Sequence, residues 1–238
     1  MAVKTNKAYI ACEACQSRSY SPFDTLCAAH LAQVSDNKSC TVYKKGQILF
    51  HEGTRPLGVF CVNKGKIKVY KIGYDGKEQI INVVGKGTLL GYKAMLAEES
   101  YSVSAETLED CTICFLSRAN FMNTLSESSD LNQRLMKQVC QEMGIMTENL
   151  TNQAQRPVRE RLAIALLKLK DTYGMDYMEN GPIEINLTRE DLANIVGTAT
   201  ETLIRLLQEF KQDKLISTKG RKIKIDDPKR LVQTANIF

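Results

Sequence analysis

Histidine is nearly absent: the 238-residue chain holds two, His30 and His51. Histidine is the usual proton-transfer group near neutral pH. No nucleophile–base constellation can be built around these two, so no enzymatic activity is expected. Phosphate-cradling glycine loops are lacking as well. The densest glycine stretch, Gly85-Lys86-Gly87-Thr88-Leu89-Leu90-Gly91, misses the spacing of both the dinucleotide fingerprint and the P-loop. Turns and packing account for it better. No apolar run approaches the ~20 residues that span a bilayer. The opening residues, Met1-Ala2-Val3-Lys4-Thr5-Asn6-Lys7, lead into no hydrophobic signal region. A cytoplasmic protein with no membrane partner is expected. In that compartment the eight cysteines are thiols or ligands rather than disulfides.

What is present suits a folded soluble chain: 43% hydrophobic, 25% charged, and long enough for two domains. Residues 1–40 carry four cysteines in a mixed pattern. From Tyr43 to Ser117 short apolar segments recur between glycines: residues 48–50, 59–62, 67–70, 80–84 and 112–116. Many short strands with regular turns indicate an antiparallel barrel or sandwich, and Asp75-Gly76 is a hairpin signal.

A long helix is expected over about 129–152, because Leu131, Leu135, Val139, Met143, Met146 and Leu150 form one apolar stripe. Such a stripe usually covers a core, yet this one is too long for a small barrel to use up. A dimer seam is the sharper reading. Pro157 then disfavours helical geometry at Arg156, so the helix should end or bend there. A second helix over 158–173 and a polar loop through Gly181 follow.

Residues 183–187 alternate as a short strand. Thr188 then reads as an N-cap with Asp191 three residues on, and Gly197 as the stop. Thr198 reads as the cap of a second helix, with Glu201 as its capping partner. Leu203, Leu206, Leu207 and Phe210 share one face of that helix. Two short helices around a glycine turn make a helix-turn-helix, whose second helix enters the major groove of DNA by its N-terminal end. Thr198, Thr200, Glu201, Thr202 and Arg205 lie there, with Arg189 on the first helix. Arg can donate twice to guanine and Glu can accept from cytosine; a Glu201–Arg205 helix-surface pair is also expected at this spacing. Residues 215–225 read as two strands about Lys219-Gly220-Arg221, a basic wing. From Arg205 to Lys224 seven basic residues stand against two acidic, a surplus equal to the +5 of the whole chain, which suits phosphate contact. Two such modules would read a near-palindromic site on double-stranded DNA, which favours the dimer.

These residues resemble the Crp–Fnr superfamily of bacterial transcription regulators. The carriers are Lys45-Gly46-Gln47-Ile48-Leu49-Phe50-His51-Glu52-Gly53, Gly58-Val59-Phe60-Cys61-Val62-Asn63-Lys64-Gly65, Asp75-Gly76-Lys77-Glu78, and Gly87-Thr88-Leu89-Leu90-Gly91. Downstream they are Leu187-Thr188-Arg189-Glu190-Asp191-Leu192-Ala193 and Gly197-Thr198-Ala199-Thr200-Glu201-Thr202-Leu203-Ile204-Arg205. The resemblance implies an α+β architecture. Its parts are a cysteine-bearing segment (1–40), a cyclic-nucleotide-binding-like antiparallel β-roll (41–118), a dimerisation helix region (119–155) and a C-terminal winged helix-turn-helix (156–238). It implies a homodimer, RNA polymerase as a partner, and Glu201 and Arg205 as base-reading residues. Thr200 and Ile204 depart from both branches' recognition patterns.

The cyclic-AMP branch holds the ribose with an acid after the loop glycine and the phosphate with an Arg-Ser pair. Here Tyr92 follows Gly91, and Tyr101-Ser102 stands at the pair. An anionic phosphate without its Arg leaves unpaired charge, so cyclic AMP is not expected. The Fnr branch ligates an iron–sulfur cluster through three N-terminal cysteines and one strand cysteine. Cys12 and Cys15 would be the leading pair and Cys114 the strand ligand. Residues 16–26 contain no third cysteine, so Cys27 or Cys40 would serve, or both, with Cys114 then spare. Zinc competes through Cys12, Cys15, Cys27 and His30. A third alternative is no metal, with Cys61, Cys111 and Cys140 as buried small side chains and a small-molecule effector in the β-roll.

Overall fold

A computed structural model describes residues 10–174 and 183–237. The polar loop expected through Gly181 lies outside the described residues. By contacts the chain divides into two compact units. One comprises the described residues up to Val69 together with Val84–Gly144; the other comprises Tyr70–Val83 and the described residues from Ile145 onward.

After two short 3-10 turns comes the first α-helix, α1 (Ala28–Asn37), followed by strands β1 (Lys38–Tyr43), β2 (Ile48–Phe50), β3 (Gly58–Lys64), β4 (Ile67–Ile72), β5 (Glu78–Val84) and β6 (Leu89–Leu90). Then come α2 (Tyr92–Leu96), β7 (Ser104–Thr107), β8 (Cys111–Ser117) and α3 (Arg118–Glu127). The strands form two four-stranded sheets, ordered β1-β8-β3-β6 and β2-β7-β4-β5, an antiparallel roll as the glycine-punctuated pattern implies. β3 and β8 carry unbroken apolar runs, 59–62 and 113–116, because both their faces are covered there. Alternate residues divide between two cores. Phe60, Val62 and Ile113 join Phe50, Ile67 and Tyr101 in one. Val59 and Leu116 join Phe23, Leu31, Tyr92, Phe121 and Leu131 in the other. The hairpin at Asp75-Gly76 forms, with Gly76 in the left-handed region at φ 78°.

The long helix is α4 (Ser129–Gln155), 27 residues, and it ends two residues before Pro157 as expected. Its apolar stripe splits. Leu131 and Leu135 are buried in the second core and Val139 packs against it, while Met143, Met146 and Leu150 are 64%, 58% and 72% exposed.

The C-terminal part contains α5 (Val158–Gly174), β9 (Glu184–Asn186), α6 (Arg189–Val196), α7 (Thr200–Gln212), β10 (Ile216–Lys219), β11 (Lys222–Ile225) and α8 (Pro228–Thr234). The order β10-β11-β9 makes the wing sheet. Ile185 and Ile223 pair across it and are buried, so Lys222 and Lys224 on either side of Ile223 face out.

Candidate nucleic-acid interface and thiol site

The helix-turn-helix is built by local rules. Thr188 Oγ1 accepts from the Asp191 N–H at 2.9 Å and caps α6. Gly197, at φ 71°, closes it. A Cβ at Gly197 would also meet the Gln153 side chain at 2.7 Å. The second cap differs from expectation. The N-cap of α7 is Ala199, without a side-chain bond. Thr198 is drawn back into the turn, where its N–H donates to the Ala193 carbonyl at 3.1 Å, five residues earlier. That bond completes the left-handed stop of α6, and Thr198 cannot serve both helices.

α7 buries Leu203, Leu206, Leu207 and Phe210, with Leu203 and Phe210 at zero exposure. Each such side chain contributes roughly 1.5–3 kcal/mol, which fixes the rotation of the helix. Glu201 and Arg205 are therefore exposed, and Thr200 and Thr202 are half-buried. Arg205 pairs with Glu209 at 2.9 Å, not with Glu201 as the spacing allowed. Glu209 also accepts from Arg159 at 2.9 Å, and Arg159 reaches Asp213 at 2.6 Å. Arg159 lies over the Phe210 ring at 4.8 Å. Arg205 thus stands at the end of an ordered charge chain.

Arg189 donates to the Gly220 carbonyl at 2.9 Å and ties α6 to the wing turn. Burial lowers its pKa from the usual arginine value. Lys219 and Arg221 flank that turn and are exposed. Sequence reasoning did not single out Arg161. It donates to the Gln153 carbonyl and side chain and to the Gly197 carbonyl, joining the end of α4, α5 and the turn.

In the β-roll, positions Gly91, Tyr92 and Tyr101 are filled by the protein itself. Tyr101 is buried and stacks on Phe50 with ring centroids 4.0 Å apart. Its hydroxyl is 3.3 Å from where a Gly91 Cβ would be. Tyr92 is 1% exposed and donates to Glu142 Oε1 on α4 at 3.2 Å; Lys93 donates to Oε2 at 2.6 Å. Burial raises the Glu142 pKa, but the hydrogen bonds from Lys93 and Gln138 outweigh it and hold the carboxyl below its ordinary value.

The thiols gather at the other core. Cys40, Cys114 and Cys61 sit on neighbouring strands at one register level. Cys40 and Cys114 are joined as a disulfide, contrary to the expectation of free thiols. Their directly paired backbones, 4.0 Å apart at Cα, bring the two sulfurs together. Cys12, Cys15, Cys61 and Cys114 line one cavity with Lys38 and Asn63. Lys38 Nζ donates to Cys12 Sγ at 2.7 Å, and Asn63 Nδ2 to Cys15 Sγ at 3.2 Å. Burial pushes the Cys61 thiol up to about 12. Cys27 is exposed at the N-cap of α1, outside the cavity lining. His30 faces Glu127 at 3.8 Å. The zinc set of Cys12, Cys15, Cys27 and His30 is thus not assembled. Among the described residues no three His, Cys, Asp or Glu side chains stand together at metal-ligand spacing. The cavity lining holds three free thiols and the disulfide-bonded Cys114 together with Arg18 and Lys38, so the residues as placed do not fit a metal ion.

Two family models match the chain. The cyclic nucleotide-binding domain matches residues 40–128, and the Crp-like helix-turn-helix domain matches residues 160–234. The chain belongs to the Crp–Fnr superfamily. Curated Crp–Fnr relatives include the transcriptional activator protein Anr of Pseudomonas protegens, 27% identical over 81% of this chain and 78% of that protein. The fumarate and nitrate reduction regulatory protein of Yersinia pestis is 29% identical over 81% of this chain and 76% of that protein. Among solved structures, a crp/fnr-family transcriptional regulator from Eubacterium rectale superposes with a TM-score of 0.71 at 20% identity, covering 92% of this chain and all of that one. FixK2 from Bradyrhizobium japonicum gives 0.70 at 20% identity over 83% and 96%. The protein is a DNA-binding transcription regulator of this superfamily and not an enzyme.

Proposed function

We propose that the protein acts in the cytoplasm as a homodimer on a near-palindromic operator and responds to redox state or oxygen through its N-terminal thiols. The observation that carries the DNA reading is the orientation of α7: its apolar face is buried and Glu201 and Arg205 are exposed. Glu201 and Arg205 read base edges, with Thr198, Thr200 and Thr202 at the same end of the helix. Lys219 and Arg221 take phosphate, and Arg189 holds the wing turn. The exposed half of the α4 stripe, Met143, Met146 and Leu150, supports a seam with a second copy. RNA polymerase is the partner through which bound protein acts on transcription.

The redox reading is supported by three thiols, Cys12, Cys15 and Cys61, around one cavity that also holds the disulfide-bonded Cys114. Relatives carry names such as "Anaerobic regulatory protein" in Haemophilus influenzae and "Electron transport regulator A" in Shewanella oneidensis. Aromatic filling at Tyr92 and Tyr101 supports a signal other than cyclic AMP. The test is binding of anaerobically purified protein to its own promoter DNA before and after oxidant, with and without cyclic AMP. A change in affinity with oxidant alone is expected. Affinity that follows cyclic AMP and ignores oxidant would falsify the reading.

A further inference from the structure

Along α7, Arg205, Glu209 and Asp213 recur every four residues and share one face. Arg205 Nη1 donates to Glu209 Oε1 at 2.9 Å. A helix pair with the cation nearer the N-terminus is the weaker order, and this one stands at the surface. Alone it would hold Arg205 in no single place. The neighbouring helix supplies what is missing. α5 is fixed by its own buried residues, Leu162 and Leu166 among them. From it Arg159 Nη1 donates to Glu209 Oε2 at 2.9 Å, and Nη2 to Asp213 Oδ2 at 2.6 Å. The Arg159 guanidinium also lies 4.8 Å from the centroid of the Phe210 ring. Two carboxylates and a buried ring thus hold one planar cation, a geometry for which lysine has no equivalent. Glu209 has both oxygens bonded, one to each arginine. Signs alternate from Arg205 through Glu209 and Arg159 to Asp213, so the chain carries no net charge to repel phosphate. The bond at Nη1 leaves the Arg205 edge formed by Nε and Nη2 without a partner among the described residues. Two parallel donors on one edge match guanine O6 and N7.

We propose that Arg159 and Glu209 are positioning residues for base recognition: Arg159 fixes Glu209, and Glu209 holds Arg205 with its Nε–Nη2 edge presented to guanine. The proposal rests on the base-reading role of Arg205 given above. Neither positioning residue touches a base. Both Nη groups of Arg159 are engaged by carboxylates, so it does not serve as a phosphate contact. The effect is preorganisation. A long, flexible arginine is ordered before DNA arrives, and less rotamer freedom is lost on contact. The chain also draws Arg205 toward Glu209 and away from Glu201, whose carboxylate stays available to a cytosine amino group.

In the test, the full chain selects its site from a pool of random duplexes. Anisotropy titrations then give its affinity for that site and for random DNA at several salt concentrations. Arg159→Met keeps an apolar stem over Phe210 and removes the fork. Glu209→Gln keeps the shape, removes the charge, and serves if the first variant does not fold. Each should lower the ratio of operator to random affinity by about fivefold or more over two half-sites. Each should relax selection at the guanine that Arg205→Ala also relaxes, and leave the salt slope unchanged. Both effects should disappear in the Arg205→Ala background, which a merely structural role would not produce. Lys229→Met removes an exposed charge elsewhere and should retain the ratio; a loss there would trace to charge alone and overturn the assignment. Unchanged ratios in both variants, while Arg205→Ala lowers its own, overturn the proposal and leave base reading by Arg205 standing. A higher ratio in Glu209→Gln overturns it too, since Glu209 would then hold Arg205 back. So does a loss that persists without Arg205 or flattens the salt dependence, since Arg159 would then meet DNA itself. If Arg205→Ala spares the ratio, the base-reading role falls and the proposal with it.

Discussion

In the helix-turn-helix, each defining bond joins near neighbours: Thr188 with Asp191, Gly197 with Ala193, Arg205 with Glu209. Around the thiol cavity, Cys12 meets Lys38, Cys15 meets Asn63 and Cys40 meets Cys114, across 26, 48 and 74 positions. Helix pitch dictates the first set, so three- and four-residue spacings predict it directly. Strand register dictates the second, and register depends on every pair in the sheet. Helix α4 partakes of both. Its stripe follows from pitch, but which half of the stripe a β-roll consumes depends on the roll. Met146→Lys with Leu150→Lys tests the remainder. A symmetric dimer would bury four new ammonium groups, each costing several kcal/mol unpaired. Light scattering should show a monomer, with association weakened more than about a thousandfold and helix content unchanged. A dimer that survives places the seam elsewhere.

The next two effects set one local residue against one register-dependent residue. Phe210 is fully buried on the face of α7 that pitch defines. Phe210→Ala should cost about 3–5 kcal/mol through lost burial and a cavity, read by chemical denaturation of the C-terminal unit. Cys40 acts through the strand pairing of β1 with β8. In oxidised protein Cys40→Ser should cost roughly 2–4 kcal/mol, because the bond closes a long loop. The difference should vanish in excess reductant. Equal stability in oxidant would mean that the two thiols do not join in solution.

Most of the fold could be read from the sequence for the same reason that the helix-turn-helix could. The strands at 48–50, 59–62, 67–70, 80–84 and 112–116, the end of α4 before Pro157 and the left-handed stop at Gly197 all follow from patterns within a few residues. Thr198 shows where local reading stops: two helices compete for one residue, and closing the first wins. β1 was hidden because Lys38–Tyr43 alternates weakly and straddles the expected boundary at residue 40. Cys61 was hidden more deeply. Within Val59-Phe60-Cys61-Val62 it is one more apolar residue of a doubly covered strand. Only its level beside Cys114 and the folding-back of residues 12–21 set it apart. The Cys12-x2-Cys15 spacing identified two cavity residues and could not identify their partners.

The smallest effect is the one that most sharpens the DNA end. Arg205 is 68% exposed in its side chain and its pair with Glu209 lies at the surface, where such pairs contribute at most about 1 kcal/mol. Arg205→Ala should leave folding nearly unchanged and still cost about 1–3 kcal/mol of binding to the native operator. Lys219→Ala makes the control. A phosphate contact strengthens binding to all DNA sequences alike, and its loss from both protomers makes the salt dependence shallower by about 1.8 in slope, roughly 0.9 per contact. A base contact instead lowers the ratio of operator to random DNA and leaves that slope nearly fixed. Anisotropy titrations of both variants at several salt concentrations separate the roles. If Arg205→Ala shifts the slope and spares the ratio, Arg205 holds phosphate. Reading of the operator would then fall to Glu201 and the threonines beside it, whose exposure α7 sets by the same buried face.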